Sequence, residues 1–210
     1  VGGGPDAGIQ IEGKPFSPGT SLSPAIRLIT EDYVEAIGMP LIRGRTMKAS
    51  DMALGAPPVV VINERLASLA WPGEDPIGKR LSTWTREVDI PEWREVVGVL
   101  GDVRSLGPDT PPRPELFLPY THPPVMAWAA FQRSMALVAR TAGDPAIHAS
   151  SLQRAVRSVD SSLPLYDVLT MEEALGATAA SARFNTWLLS LLAATGLVLA
   201  AVGIYGVIAY

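Results

Sequence analysis

The period of apolar and polar positions changes several times along this chain, and each change marks an element. Residues 1–25 are rich in Gly, Pro and Ser and read as loops around one alternating stretch, Ile9-Gln10-Ile11-Glu12, which predicts a short strand. Ala25 to Ile29 predicts a second strand. Thr30 then caps a short helix with Glu31 and Asp32 in its first turn, Tyr33, Val34 and Ile37 inward, and Gly38 as its stop. Met39-Pro40-Leu41-Ile42-Arg43-Gly44-Arg45 reads as the connection out of that helix. Val59 to Ile62 is a continuous β-branched run, followed by Asn63 as the cap of a helix through Ala70 that Trp71-Pro72-Gly73 breaks. Lys79 to Ser82, Trp93 to Leu100, Glu115 to Leu118 and Met135 to Ala139 predict further strands, divided by turn-rich stretches.

Towards the C-terminus the period becomes helical. Asp144-Pro145 opens a helix whose apolar face is Leu152, Ala155, Val156 and Val159. After a predicted strand at Leu165 to Val168, Thr170-Met171-Glu172-Glu173 matches a capping box and starts an amphipathic helix bearing Leu175 and Ala179. Strands and helices mix without a strict βαβ repeat. The predicted class is α+β, with a mixed, largely antiparallel sheet and packed helices.

From Phe184 to Tyr210 no residue is charged. At about 1.5 Å per helical residue the run reaches roughly 40 Å, against a hydrocarbon core of about 30 Å, and it predicts a transmembrane helix. Arg183 stands just outside, Trp187 near one interface, and Tyr205 and Tyr210 towards the other. Gly196, Ala200, Gly203 and Gly206 form a stripe of small residues suited to close approach by another helix. No Gly/Ser linker separates this run from the helix that begins at Thr170, so movement of the globular part is expected to pass to the membrane helix. The organisation is therefore a loop-rich start at 1–25, an extracytoplasmic domain at 26–183 and a transmembrane helix at 184–210. The chain opens on Val1 and closes on an apolar tyrosine, and is expected to be part of a longer protein.

Charge and composition narrow the partners. A formal charge of −4, a pI near 5.2 and scattered Lys and Arg leave no basic surface for nucleic-acid phosphates. Without cysteine there is no disulfide framework and no thiolate metal site.

Chemistry-bearing motifs are few. Gly73-Glu74-Asp75-Pro76-Ile77-Gly78-Lys79 has the spacing of a phosphate-binding loop, but Arg80 stands where a hydroxyl would hold Mg²⁺ and Pro76 removes an amide donor. A structural turn before a strand is the better reading. His122 and His148 have no carboxylate or second imidazole at ligand spacing, and no serine lies in Gly-x-Ser-x-Gly. Glu31/Asp32 and Glu172/Glu173 sit in first turns of helices, where dipole and capping account for them. The expectation is a protein that is not an enzyme, with no cofactor and no metal. Trp71, Trp84, Trp93 and Trp128 could line a groove for an apolar ligand or partner protein, but core or loop packing is the better reading of them.

Taken in order, several stretches resemble one family. Tyr33-Val34-Glu35-Ala36-Ile37-Gly38-Met39-Pro40-Leu41-Ile42-Arg43-Gly44-Arg45, Val59 to Glu64, Trp71 to Arg80, Val96 to Val103 and Pro114 to Pro119 are similar to the MacB-like periplasmic core domain of bacterial ABC-type permeases. Ala200 to Val207 resembles the opening of the FtsX-like permease domain, and the whole is most similar to large duplicated permeases encoded without an ATPase of their own. This resemblance implies a location in the bacterial inner membrane with the globular part periplasmic. It also implies a cytoplasmic ABC ATPase as motor, and other permease helices or a second permease copy as neighbours. In that family the domain transmits movement rather than doing chemistry. Two other readings stay open at this point: a membrane-anchored extracellular binding or sensory module, and an anchored hydrolase using His122 or His148.

Overall fold

The computed structural model describes residues 6, 8–15, 22–83, 92–104, 110–122, 135–163 and 166–208, without the side chains of 175–186, 203 and 206–208. It divides into two compact units, Val1–Thr141 and Ala142–Tyr210.

The first unit is built on a mixed sheet. Its strands are β1 (Ile9–Ile11), β2 (Ala25–Ile29), β3 (Leu41–Gly44), β4 (Val59–Asn63), β5 (Arg80–Thr83), β6 (Arg94–Leu100) and β7 (Glu115–Pro119), in spatial order β1-β5-β6-β4-β7-β2 with β3 also on β6. The β4–β6 and β2–β7 pairs are parallel, and β1–β5, β5–β6, β3–β6 and β4–β7 are antiparallel.

Burial on both faces explains why the central strands carry continuous apolar runs rather than alternation. Every residue of β4 and β7 is buried. Because successive side chains point to opposite faces, Val60 and Ile62 join Leu116, Leu118 and Ile26 in one core cluster, while Val59 and Val61 join Phe117 and Ile29 in another. Helix α2 (Glu64–Ala70) covers the first face with Leu66 and Ala70. Helix α1 (Tyr33–Ile37) and Met47 cover the second, to which α1 contributes Val34.

Two local expectations are corrected here. The N-cap of α1 is Asp32 rather than Thr30, with no side-chain cap bond. The backbone explains the delay, since the amide of Tyr120 donates to the carbonyl of Ile29 at 3.1 Å and keeps the chain on the sheet until Thr30. The stretch read as a connection, Met39 to Arg45, contains β3. All four β3 residues are exposed, so no buried face imposes the period that would betray a strand. β3 runs antiparallel beside β6 with a register shift between Leu41 and Arg43, and two glycines in register, Gly44 and Gly98, make room for the close approach. Gly44 has φ +73°, and a Cβ on Gly98 would lie 2.0 Å from the carbonyl oxygen of Arg45.

The second unit holds a 3₁₀ turn (Pro145–His148), α3 (Ala149–Val159) and α4 (Met171–Ile208). Asp144 caps the turn through the amide of Ala146; of the expected apolar face of α3, Leu152 and Val156 are half-buried, whereas Ala155 and Val159 are exposed. The strand expected at Met135 to Ala139 is absent, the segment being irregular. At Leu165 to Val168, residue 165 lies outside the described set and 166–168 form no strand. Asp167 at φ +53° breaks extended backbone there.

Candidate functional site

The capping box forms as expected at the start of α4. The Thr170 amide donates to Glu173 Oε2 at 2.8 Å, its hydroxyl lies 3.0 Å from the same oxygen, and the Glu173 amide returns to the hydroxyl at 3.2 Å. These bonds from Thr170 hold the Glu173 carboxyl below the usual glutamate range. From this cap the helix runs unbroken to Ile208, so backbone hydrogen bonding passes the predicted boundary at 183/184 without interruption. Side chains on Trp187–Val202 are exposed, with Trp187 at 78% and Leu197 at 75%. The hydroxyl of Thr195 is satisfied within the helix, against the carbonyls of Leu191 (2.8 Å) and Leu192 (2.9 Å).

Gly196, Ala200, Gly203 and Gly206 follow at offsets of four, three and three residues. At 3.6 residues per turn such offsets keep positions on one side of a helix. A Cβ placed on Gly196 meets nothing within 4 Å. Among the described residues, no helix is long and apolar enough to cross a membrane.

The phosphate-loop spacing folds as a turn between α2 and β5, and its polar groups are already engaged. Amides of Glu74, Gly78 and Lys79 donate to carbonyls of Trp71, Val96 and Pro76 at 3.1, 2.9 and 3.1 Å. The Lys79 ammonium pairs with the Glu74 carboxylate and lies 6.0 Å from the centre of the Trp71 ring. A cradle needs amides free to meet the ligand, and these donate to protein carbonyls instead, as the Ile77 amide does to the Asp75 carboxylate.

Among the other candidates, Trp71 is 3% exposed and belongs to the core, Trp93 is half-buried, and Trp84 and Trp128 lie outside the described residues. The aromatic groove thus loses Trp71. His122 follows β7 in the first unit and His148 ends the 3₁₀ turn in the second. No group of three or more His, Cys, Asp or Glu among the described residues is arranged to hold a metal ion.

Four polar constellations were not nominated by the sequence. Asn63, wholly buried, does more than cap α2. Its Oδ1 accepts from the amides of Leu66 (3.0 Å) and Glu115 (2.9 Å), and its Nδ2 donates to Asp102 Oδ1 (2.7 Å) and the Arg113 carbonyl (2.9 Å). Asp51 receives Arg45 Nη1 at 2.6 Å, Arg45 Nη2 at 3.1 Å and the Lys48 amide at 2.9 Å. Burial pushes its carboxyl up, but the bonds from Arg45 and Lys48 and their charges outweigh that, and the net displacement is downward. Near Glu115, which pairs with Arg27 at 2.9 Å, burial raises the Tyr33 hydroxyl; the Arg27 charge opposes this and the Glu115 charge adds to it. Arg94, at the inward-facing start of β6, is the fourth. The available signal for it is a charged residue in register with Leu81 and Val96 at an inward position.

Fold and site together describe an α+β domain with two buried sheet faces and a long, capped helix after it. The sequence matches the MacB-like periplasmic core domain over residues 9–183, and the chain belongs to that family, which forms domains of ABC-type permeases. Solved structures similar to it include the periplasmic region of MacB from Actinobacillus actinomycetemcomitans, at 19% identity and TM-score 0.48. That alignment covers 73% of this chain and 63% of that one, so the chain spans less than two thirds of the MacB region. The extracellular domain of the ABC-type transporter YknZ from Gram-positive bacteria is similar at 14% identity and TM-score 0.48, with 79% of this chain and 76% of that one covered. No curated protein matches the chain.

Proposed function

We propose that this chain is the extracytoplasmic domain and following membrane helix of an ABC-type permease, working as a mechanical element rather than a catalyst. Residues 26–183 form the outer domain and 184–210 cross the bacterial inner membrane. Support comes from one feature above all: a single uninterrupted helix joins the capped start at Thr170 to the uncharged run after Arg183. A continuous helix transmits displacement and rotation along its axis, whereas a flexible linker absorbs them. Exposed Leu, Val and Trp side chains on Trp187–Val202 are what lipid contact calls for.

In this reading a cytoplasmic ABC ATPase drives the membrane helices, and α4 carries the movement to the outer domain, where it powers export or other extracytoplasmic work. Gly196, Ala200, Gly203 and Gly206 form the contact face towards neighbouring permease helices or a second permease copy. The test is the double substitution Gly203→Leu and Gly206→Leu in the full-length permease. Transport or coupled ATPase activity is expected to fall sharply while the outer domain keeps its native circular dichroism. Unchanged transport removes the packing face from the account.

A further inference from the structure

Arg94 is the most deeply buried charged side chain among the described residues, with 0% of its side chain exposed. It sits opposite Leu81 of β5, on the core side of the sheet. Only Nη2 is engaged: it donates to the Glu92 carboxylate and, at 3.1 Å, to the carbonyl of His122. Nε and Nη1 are buried without a hydrogen-bond partner. The same loop carries a further unpartnered buried nitrogen, His122 Nε2. The Thr121 hydroxyl lies 3.0 Å from Nδ1 of that ring, and when it donates there, Nε2 carries the proton and is a donor as well. Ser82 Oγ is also buried and unpartnered, but strand alternation puts it on the other face from Leu81 and Arg94.

This end of the sheet therefore presents unused donors, which calls for an oxygen acceptor bearing negative charge. Glu92 meets the need in part. Its side chain is 51% exposed, and it is attached two residues before Arg94, so it reaches one nitrogen rather than two. A carboxylate that is not tethered can take the parallel two-bond geometry of a guanidinium fork. Because Nη1 and Nε are buried, the group that replaces Glu92 must be as small as the carboxylate it displaces.

We infer that Arg94 is the receptor of a carboxylate site at this end of the sheet, that Glu92 is its built-in occupant, and that a small carboxylic acid displaces Glu92 to bridge Nη1 and Nη2. The inference is independent of the transport reading, since it concerns the outer domain alone.

The test follows the Arg94 guanidinium signal by NMR in the full 210-residue chain, labelled with ¹⁵N-arginine and held in detergent micelles. Sodium acetate is titrated into the wild type and Glu92→Gln, with sodium chloride at equal ionic strength and acetamide as controls. Arg94→Lys assigns the signal by its loss. Should that variant not fold, the guanidinium signal that Glu92→Gln displaces from its wild-type position serves instead. Acetate is expected to shift the signal saturably, with half-saturation about ten-fold lower in Glu92→Gln once the competing charge-assisted bond is gone. Chloride and acetamide should leave it in place. Equal half-saturation in the two proteins, a response that never saturates, or the same response to acetamide or chloride would overturn the assignment.

Discussion

Replacing Asn63 by alanine should unfasten four pieces of the sheet unit at once. In the wild type this one amide joins the end of β4 to the first turn of α2 through Leu66, to β7 through Glu115, and to the segments beyond β6 and before β7 through Asp102 and Arg113. Loss of the cap alone costs about 1 kcal/mol. The substitution also leaves the amide of Glu115, a residue only 1% exposed, without its acceptor. An orphaned buried group of that kind costs about 1–3 kcal/mol. The sum is about 3 kcal/mol, or a fall in melting temperature of roughly 6–12 °C for a chain of this length. Urea unfolding followed by near-ultraviolet dichroism measures it. Asn63→Asp separates the two halves of the argument. It keeps an oxygen facing both amides but turns an oxygen, in place of Nδ2, towards Asp102 and the Arg113 carbonyl. The new carboxylate is therefore raised in the folded state, and the deficit relative to wild type should shrink as the pH falls and that group protonates. A deficit near 1 kcal/mol for Asn63→Ala, or one for Asn63→Asp that ignores pH, would refute the view of Asn63 as a hub and leave it an ordinary cap.

Gly98→Ala should destabilise the sheet unit by about 1–3 kcal/mol, as overpacking does, because the added Cβ meets the Arg45 backbone rather than a movable side chain; an unchanged urea midpoint would count against the close pairing of β3 with β6 at Gly98. Asp51→Asn should cost about 1–2 kcal/mol at neutral pH, the range for a charge-assisted bond discounted for the partial exposure of Arg45. The Asp51 carboxyl is depressed in the folded protein, so its stabilisation is full above the ordinary carboxylate range and is lost as pH falls through the folded value. The gap between wild type and Asp51→Asn should accordingly close on acidification, and a gap constant with pH contradicts the Arg45 pairing.

Elements with a buried face were legible in the sequence, and those without one were not. β4 and β7 announce themselves as unbroken apolar runs because both sheet faces are covered, and the caps at Asn63, Asp144 and Thr170 follow from local backbone chemistry that needs no tertiary context. β3 escaped because an exposed edge strand carries no alternation, and its existence depends on the distant β6. Met135 to Ala139 misled for the opposite reason: strand-like composition does not supply a neighbouring strand, and the segment is irregular. Trp71 lies in the core, the better of its two readings, but a large ring beside a breaker reads alike in core and cleft, and only the fold puts it under Lys79. The roles of Asp102, Arg113 and Glu115 around Asn63 join residues far apart in the chain, and no spacing rule reaches that far.

Labelling of single cysteines tests the central claim most directly: residues 1–210 contain none, and any cysteine elsewhere in the full-length protein is first replaced by serine. In intact cells carrying the full-length protein, cysteines introduced at Leu54, 92% exposed on a turn of the sheet unit, and at Leu197 in α4 are challenged with a membrane-impermeant maleimide. The account predicts that Leu54→Cys reacts from outside without lysis, while Leu197→Cys stays unreactive until the membrane is dissolved. Reaction of Leu197→Cys in intact cells at the rate of Leu54→Cys, or reaction of Leu54→Cys only after lysis, would contradict it.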